Sequence, residues 1–163
     1  MRLRQVMDWS AAVWAGLLAG IVFLLAQLFV LPGFEGGNAW ARLRYLASPV
    51  LGEGILAPPA TFDVRALVVA ILLHLAIAVG ATMVLAVILH RWGMLIGILG
   101  GALFGSGLYF INFYTLTLLF PWLFALRGMP QWTLHLAFGA IAGGLYEAFE
   151  VEEYEMVDTS GGN

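Results

Sequence analysis

Charge is confined to a few short places in this chain, and the gaps between them decide what it can fold into. Asp8 and Glu35 are separated by 26 residues without a formal charge, Arg65 and Arg91 by 25, Arg91 and Arg127 by 35, and Arg127 and Glu147 by 19. A helix needs roughly 20 apolar residues to cross about 30 Å of hydrocarbon. Each gap therefore fits one crossing. The expected fold is all-α, a bundle of four transmembrane helices near 10–32, 64–90, 93–120 and 130–150, forming one domain over residues 1–150. Asp63 is placed to cap the second helix, and Pro130 suits the first turn of the fourth. Pro121 should end or kink the third.

Composition supports lipid as the solvent. Of 163 residues, 62% are hydrophobic and 10% charged, against roughly a quarter charged in an ordinary soluble domain. There is no cysteine, which excludes disulfides, thiolate catalysis, iron–sulfur ligation and covalent c-type haem. The seven basic residues are all arginine and are scattered, so no nucleic-acid partner is expected. Arg2 and Arg4 precede an apolar run too long for the core of a signal peptide, and that run is read as the first crossing.

An even number of crossings puts both termini on one side. Arg2, Arg4 and Arg91 then share that side, and Arg42, Arg44, Arg65 and Arg127 lie on the other. A plain count of arginines does not choose between them. The first helix often dominates orientation, and Arg2 and Arg4 flank it directly, so the termini are expected in the cytoplasm.

Two segments lie outside the crossings. In the loop 33–63, Asn38 is placed to cap a short helix bearing Trp40, Leu43 and Leu46. Tryptophan beside Arg42 and Arg44 suggests a helix at the membrane surface. It serves either as a plain connector or as a lid over a site between helices. The stretch 147–163 holds six of the ten acids and no base. From residue 151 onward it reads as an acidic, disordered tail.

Small residues recur every four positions. The third helix carries Gly93, Gly97, Gly101 and Gly105, a glycine-zipper pattern. The first carries Gly16 and Gly20, and the fourth Gly139 and Gly143. Lipid provides little hydrophobic force between helices, so close backbone approach at small residues must hold them. The same faces could join copies of the chain into a homo-oligomer or dock it into a larger membrane complex.

Few strongly polar residues fall inside the spans: Gln27, His74, Asn112 and His135. At about 1.5 Å per residue, all four lie in the half of the bilayer nearer the long loop. Asn112 is seven residues beyond Gly105 and His135 four before Gly139, so both share a glycine face. The bland reading is a set of hydrogen bonds that fixes helix register. The sharper one is a ligand site, in which two histidines hold haem b or bind a quinone carbonyl. Zinc would need another strong ligand beside the histidines, and none is evident, so no metal is expected.

The strings Ala-Ala-Val-Trp-Ala-Gly (11–16), Ala-Pro-Pro-Ala-Thr-Phe-Asp (57–63), Asn-Phe-Tyr (112–114) and Leu-Phe-Pro-Trp (119–122) resemble a group of small, uncharacterised bacterial membrane proteins. The resemblance covers most of the chain. It implies a bacterial inner-membrane location and a four-helix fold, and no activity. Some such sequences bear a sodium/proline-symporter label, which belongs to a many-helix fold that this chain is far too short to form. The expected role is therefore an accessory or structural membrane component rather than an enzyme. The alternatives are a haem- or quinone-binding subunit and a small oligomeric transporter.

Overall fold

The computed structural model describes residues 2–90, 92–151 and 153–157. Its element order is β1 (Arg2–Val6), α1 (Trp9–Phe29), α2 (Leu31–Glu35), α3 (Ala39–Leu51), α4 (Val64–Leu89), α5 (Met94–Phe110), α6 (Met129–Phe149) and β2 (Glu153–Val157). Among the described residues, three helical stretches are long and apolar enough to cross a membrane: Trp9–Glu35, Val64–Leu89 and Met94–Leu118. Their outer faces are greasy. Leu72, Leu95, Leu103 and Leu118 are 66, 69, 75 and 82% exposed. Water would not tolerate such a surface, and acyl chains would.

Caps set the helix starts. Asp8 accepts from the Ala11 amide at 3.0 Å, Asn38 from Ala41 at 2.9 Å, and Asp63 from Arg65 and Ala66 at 2.8 and 3.2 Å. The amide of Ala11 holds the Asp8 carboxyl below the usual carboxylate range, and that of Ala66 does the same for Asp63. Gly128 and Pro130 begin α6.

α1 packs against both α4 and α6, and α6 packs most intimately against α5. α4 and α5 follow each other in sequence but come close in few places. The α5–α6 seam is nearly backbone on backbone. A Cβ on Gly97 or Gly101 would run into the Gly143 or Gly139 carbonyl, and one on Gly105 into the carbonyl of His135. The α1–α4 seam is similar. A Cβ on Gly16 would meet the Cα of Val79, and one on Gly20 the Cβ of Ala78. Gly93 differs from the expected row. It sits at the N-terminus of α5 at φ 77°, with open space where a Cβ would be. Its glycine serves the left-handed backbone of the α4–α5 turn and not helix contact.

The third span is shorter in regular α form than 93–120. α5 gives way to a π turn at Ile111–Thr115 and a 3₁₀ turn at Leu116–Leu118. The break precedes Pro121, which begins a further 3₁₀ turn, Pro121–Leu126. Side chains share the backbone oxygens at the break. The Thr117 hydroxyl and the Arg127 Nε both donate to the Phe113 carbonyl, and Thr117 also reaches the carbonyl of Tyr114. A helical carbonyl spent on side chains no longer propagates the ladder.

The stretch expected to be a disordered tail is ordered over Glu153–Val157. It pairs antiparallel with Arg2–Val6, and Arg4 stands opposite Glu155. The acids there alternate with Tyr154 and Met156, which is strand periodicity, and Arg2–Val6 is the strand it pairs with. The rest of that acidic stretch, 158–163, lies outside the described residues.

Inserting a side chain into the α5–α6 seam should therefore separate the two helices. Gly101→Leu should cost about 3 kcal/mol or more, since backbone has to move. Leu103→Ala, on the outer face of the same helix, should cost little. Thermal unfolding in mild detergent would compare them, and equal melting temperatures would show that the seam carries no stability.

Candidate functional site

The gap between α4 and α5 leaves a cavity of about 130 Å³ in the loop-side half of the bundle. α1 and α6 form its floor through Phe23, Gln27, Gln131 and His135. α3 covers it with Tyr45, Leu46 and Pro49, and the irregular segment after α5 adds Phe113 and Leu116. α3 is held in that place by polar contacts. Trp122 Nε1 donates to Ser48 Oγ at 2.8 Å, and Arg42 pairs with Glu35. Arg44 donates to the carbonyls of Ala57 and Thr61, both at 3.0 Å. So α3 lies against the cavity between the helices.

His74, Asn112, His135 and Gln27 all line this cavity, but they do not form one hydrogen-bonded group. His135 Nδ1 lies 2.9 Å from the Gln131 carbonyl, one turn earlier in its own helix. That carbonyl can only accept, so Nδ1 carries the proton and Nε2 is an acceptor. Asn112 Nδ2 donates to it across the α5–α6 seam at 3.4 Å. His74 turns the other way and donates from Nε2 to the Gly20 carbonyl at 2.9 Å. Glycine at position 20 is what lets α1 come close enough for this bond. The two imidazoles therefore do not meet. Phe23 stands between them, with ring centroids 5.3 Å from His74 and 4.8 Å from His135.

Two participants escaped the sequence reading. Gln131, only 1% exposed, donates from Nε2 to Gln27 Oε1 at 3.3 Å and so joins α6 to α1. Its own Oε1 is buried with no hydrogen-bond partner. The signal was present, because Gln131, His135, Gly139 and Gly143 are one stripe at four-residue spacing. Phe23 gave no such signal, being one aromatic in an apolar run.

This geometry does not suit an axial pair for haem b. Both ring nitrogens of His135 and Nε2 of His74 are directed at protein groups, Phe23 lies against both rings, and the cavity holds far less than a porphyrin. Among the described residues, no three His, Asp or Glu side chains gather as metal ligands. What the arrangement can do is present neutral amides and imidazoles to a small molecule at membrane depth.

Compared with protein-family models, characterised proteins and solved structures, the chain matches none.

If Asn112 and His135 are truly bonded, their removal should not be additive. Asn112→Leu and His135→Leu should each cost about 1–3 kcal/mol, and the double variant less than their sum by roughly 0.6 kcal/mol. A cycle of detergent unfolding measurements tests this. Strict additivity would show that the 3.4 Å approach contributes no bond.

Proposed function

We propose that this chain is a four-crossing protein of the bacterial inner membrane, with both termini in the cytoplasm, acting as an accessory or structural component of a membrane assembly. The observation that carries the topology is the pairing of β1 with β2. It holds the two ends of the chain together, and the Val151 amide adds a bond to Asp8. Three spans alone would leave the ends on opposite sides. α6 is the helix that can return the chain. It has 21 residues, roughly 31 Å at 1.5 Å per residue, and lies against α5 along its length.

The partners of the arginines support this orientation, although Arg65, exposed on the loop side, pairs only with Asp63 at 3.5 Å. On the loop side, Arg42 is buried against Glu35, and Arg44 and Arg127 are bound to backbone carbonyls. They serve the local fold there. Arg2 and Arg4 flank the first span and direct its start to the cytoplasm. α3, with Trp40 and its arginines, then lies at the periplasmic surface of the bilayer.

An accessory role is supported by the polar groups at membrane depth. They are amides and imidazoles that bond to backbone and to one another, an arrangement that fixes helix register. The long exposed apolar faces of α4 and α5 are available to lipid and to neighbouring membrane proteins.

Cysteine labelling tests the topology in this cysteine-free chain. Glu53→Cys should react with a membrane-impermeant maleimide in spheroplasts, and Val151→Cys only after permeabilisation. Reaction of both from outside would mean an odd number of crossings. Reaction of position 151 alone would reverse the orientation. The accessory role is read separately, by native electrophoresis after mild solubilisation. Comigration with other membrane proteins is expected, and migration as a lone chain from native membranes would count against it.

A further inference from the structure

We propose that the cavity between α4 and α5 binds the ring headgroup of a lipid-soluble quinone or quinol, which enters sideways from the bilayer. The inference rests on the reading of α4 and α5 as membrane-spanning. Four observations on the cavity carry it.

Access comes first. Leu73, Ile77 and Ala81 of α4 and Leu108 and Leu116 on the α5 side line the cavity, and Ile77 is 53% exposed on the outer surface. Those two helices form the least tightly closed seam of the bundle. The opening between them is apolar and faces acyl chains, so a ligand reaches it through lipid, and its tail can remain there.

Size is second. The cavity measures about 130 Å³. A protein cavity of about 150 Å³ takes up one benzene. One six-membered ring is the scale of headgroup this space accepts, with modest widening for substituents.

Polarity is third. An apolar cavity would suit any acyl chain, but this one ends on a polar floor. Gln131 Oε1 is buried without a partner in a side chain that lines the space. A buried acceptor left unpaired is unfavourable, and a ligand hydroxyl would satisfy it. If the two glutamine amides turn together, the same position offers an N–H to a carbonyl instead. Asn112, also in the lining, has the same two-sided chemistry. An amide pair can thus receive either a quinol O–H or a quinone C=O.

Charge is fourth. Arg127 is engaged by Phe113 and Thr117 and stacked on Tyr114 with its guanidinium carbon 4.0 Å from the ring centroid. Arg42 is held by Glu35. The floor itself is neutral, which disfavours a phosphate-bearing headgroup and favours an uncharged one. Phe23, Phe113 and Phe138 in the walls offer faces and edges to a flat ring.

The test uses the full chain purified into phosphatidylcholine nanodiscs. Decylubiquinone is titrated and followed by quenching of tryptophan fluorescence, and decylbenzene, which lacks oxygen and does not quench, is measured by its competition with decylubiquinone. Saturable binding of decylubiquinone is expected, at least tenfold tighter than that of decylbenzene. Gln131→Leu should remove that preference. Because Gln131 also holds Gln27, a second variant, Ile77→Trp, closes the mouth from an exposed position and should weaken binding at least tenfold without unfolding the chain. Three results would overturn the proposal: no saturable binding, equal binding of the two probes, or undiminished binding by a folded Ile77→Trp. Failure here with the cysteine pattern intact would reject the ligand alone. A failed cysteine pattern would reject the topology beneath it.

Discussion

The contact on which the rest of this structure depends is the meeting of α5 and α6 backbone at glycine. Without side chains at 97, 101 and 105 on one helix and 139 and 143 on the other, the two axes come together until peptide groups touch. Dispersion between closely packed backbones then replaces the hydrophobic force that lipid does not supply. The consequence reaches across the bundle. α5 is committed to α6, α4 is committed to α1 through Gly16 and Gly20, and α1 and α6 join the two pairs. Nothing of equal closeness draws α4 to α5. The cavity is what remains between two well-made seams.

Polar groups in lipid must find partners within the protein, and each one here shows how that need shapes packing. His74 reaches a backbone carbonyl on α1 only because position 20 is glycine. His135 uses the carbonyl one turn back and leaves its other nitrogen for Asn112. Gln27 and Gln131 meet across the α1–α6 interface. Each of these contacts specifies which residue faces which, a choice that interchangeable leucines would leave open. Of the fully buried polar atoms in these five side chains, Gln131 Oε1 is the one left without a partner, and its side chain lines the cavity.

Much of this was legible in the sequence because long-range order in a membrane protein is written in long-range patterns. Charge-free stretches mark the spans, four-residue spacing of glycine marks the seams, and Asp63 and Asn38 mark helix starts by a local bond that needs no tertiary context. The features that were not legible depend on competition or on distant partners. At the π turn of 111–115, Thr117 and Arg127 both donate to the Phe113 oxygen, and no periodicity encodes that. Gly93 kept the glycine spacing by position while its backbone served a turn. The separation of His74 from His135 by Phe23 depends on how three helices meet, which similar depth along each helix does not determine. The strand at 153–157 was hidden by its acidity, since a charged segment looks solvated until its basic partner is known.

The same pairing that orders the C-terminal segment also limits how the bundle can move. β1 with β2, together with the Val151–Asp8 bond, fastens the start of α1 to the end of α6 at one end of the molecule. At the other end, α3 is fastened by Trp122 to the segment after α5. α4 and α5 meet near the Gly93 turn, where Leu89 lies against Gly100, and their loop-side halves are spanned by α3 and the irregular 111–126 segment. Motion that widens the cavity can therefore come from those irregular turns, whose carbonyls are already shared among side chains, while the glycine seams stay closed. A π turn of this kind, a single turn inside a helical stretch, is frequently found at functional sites. Rigidity at the seams and compliance over the cavity thus come from one cause, the choice of where backbone meets backbone and where side chains intervene.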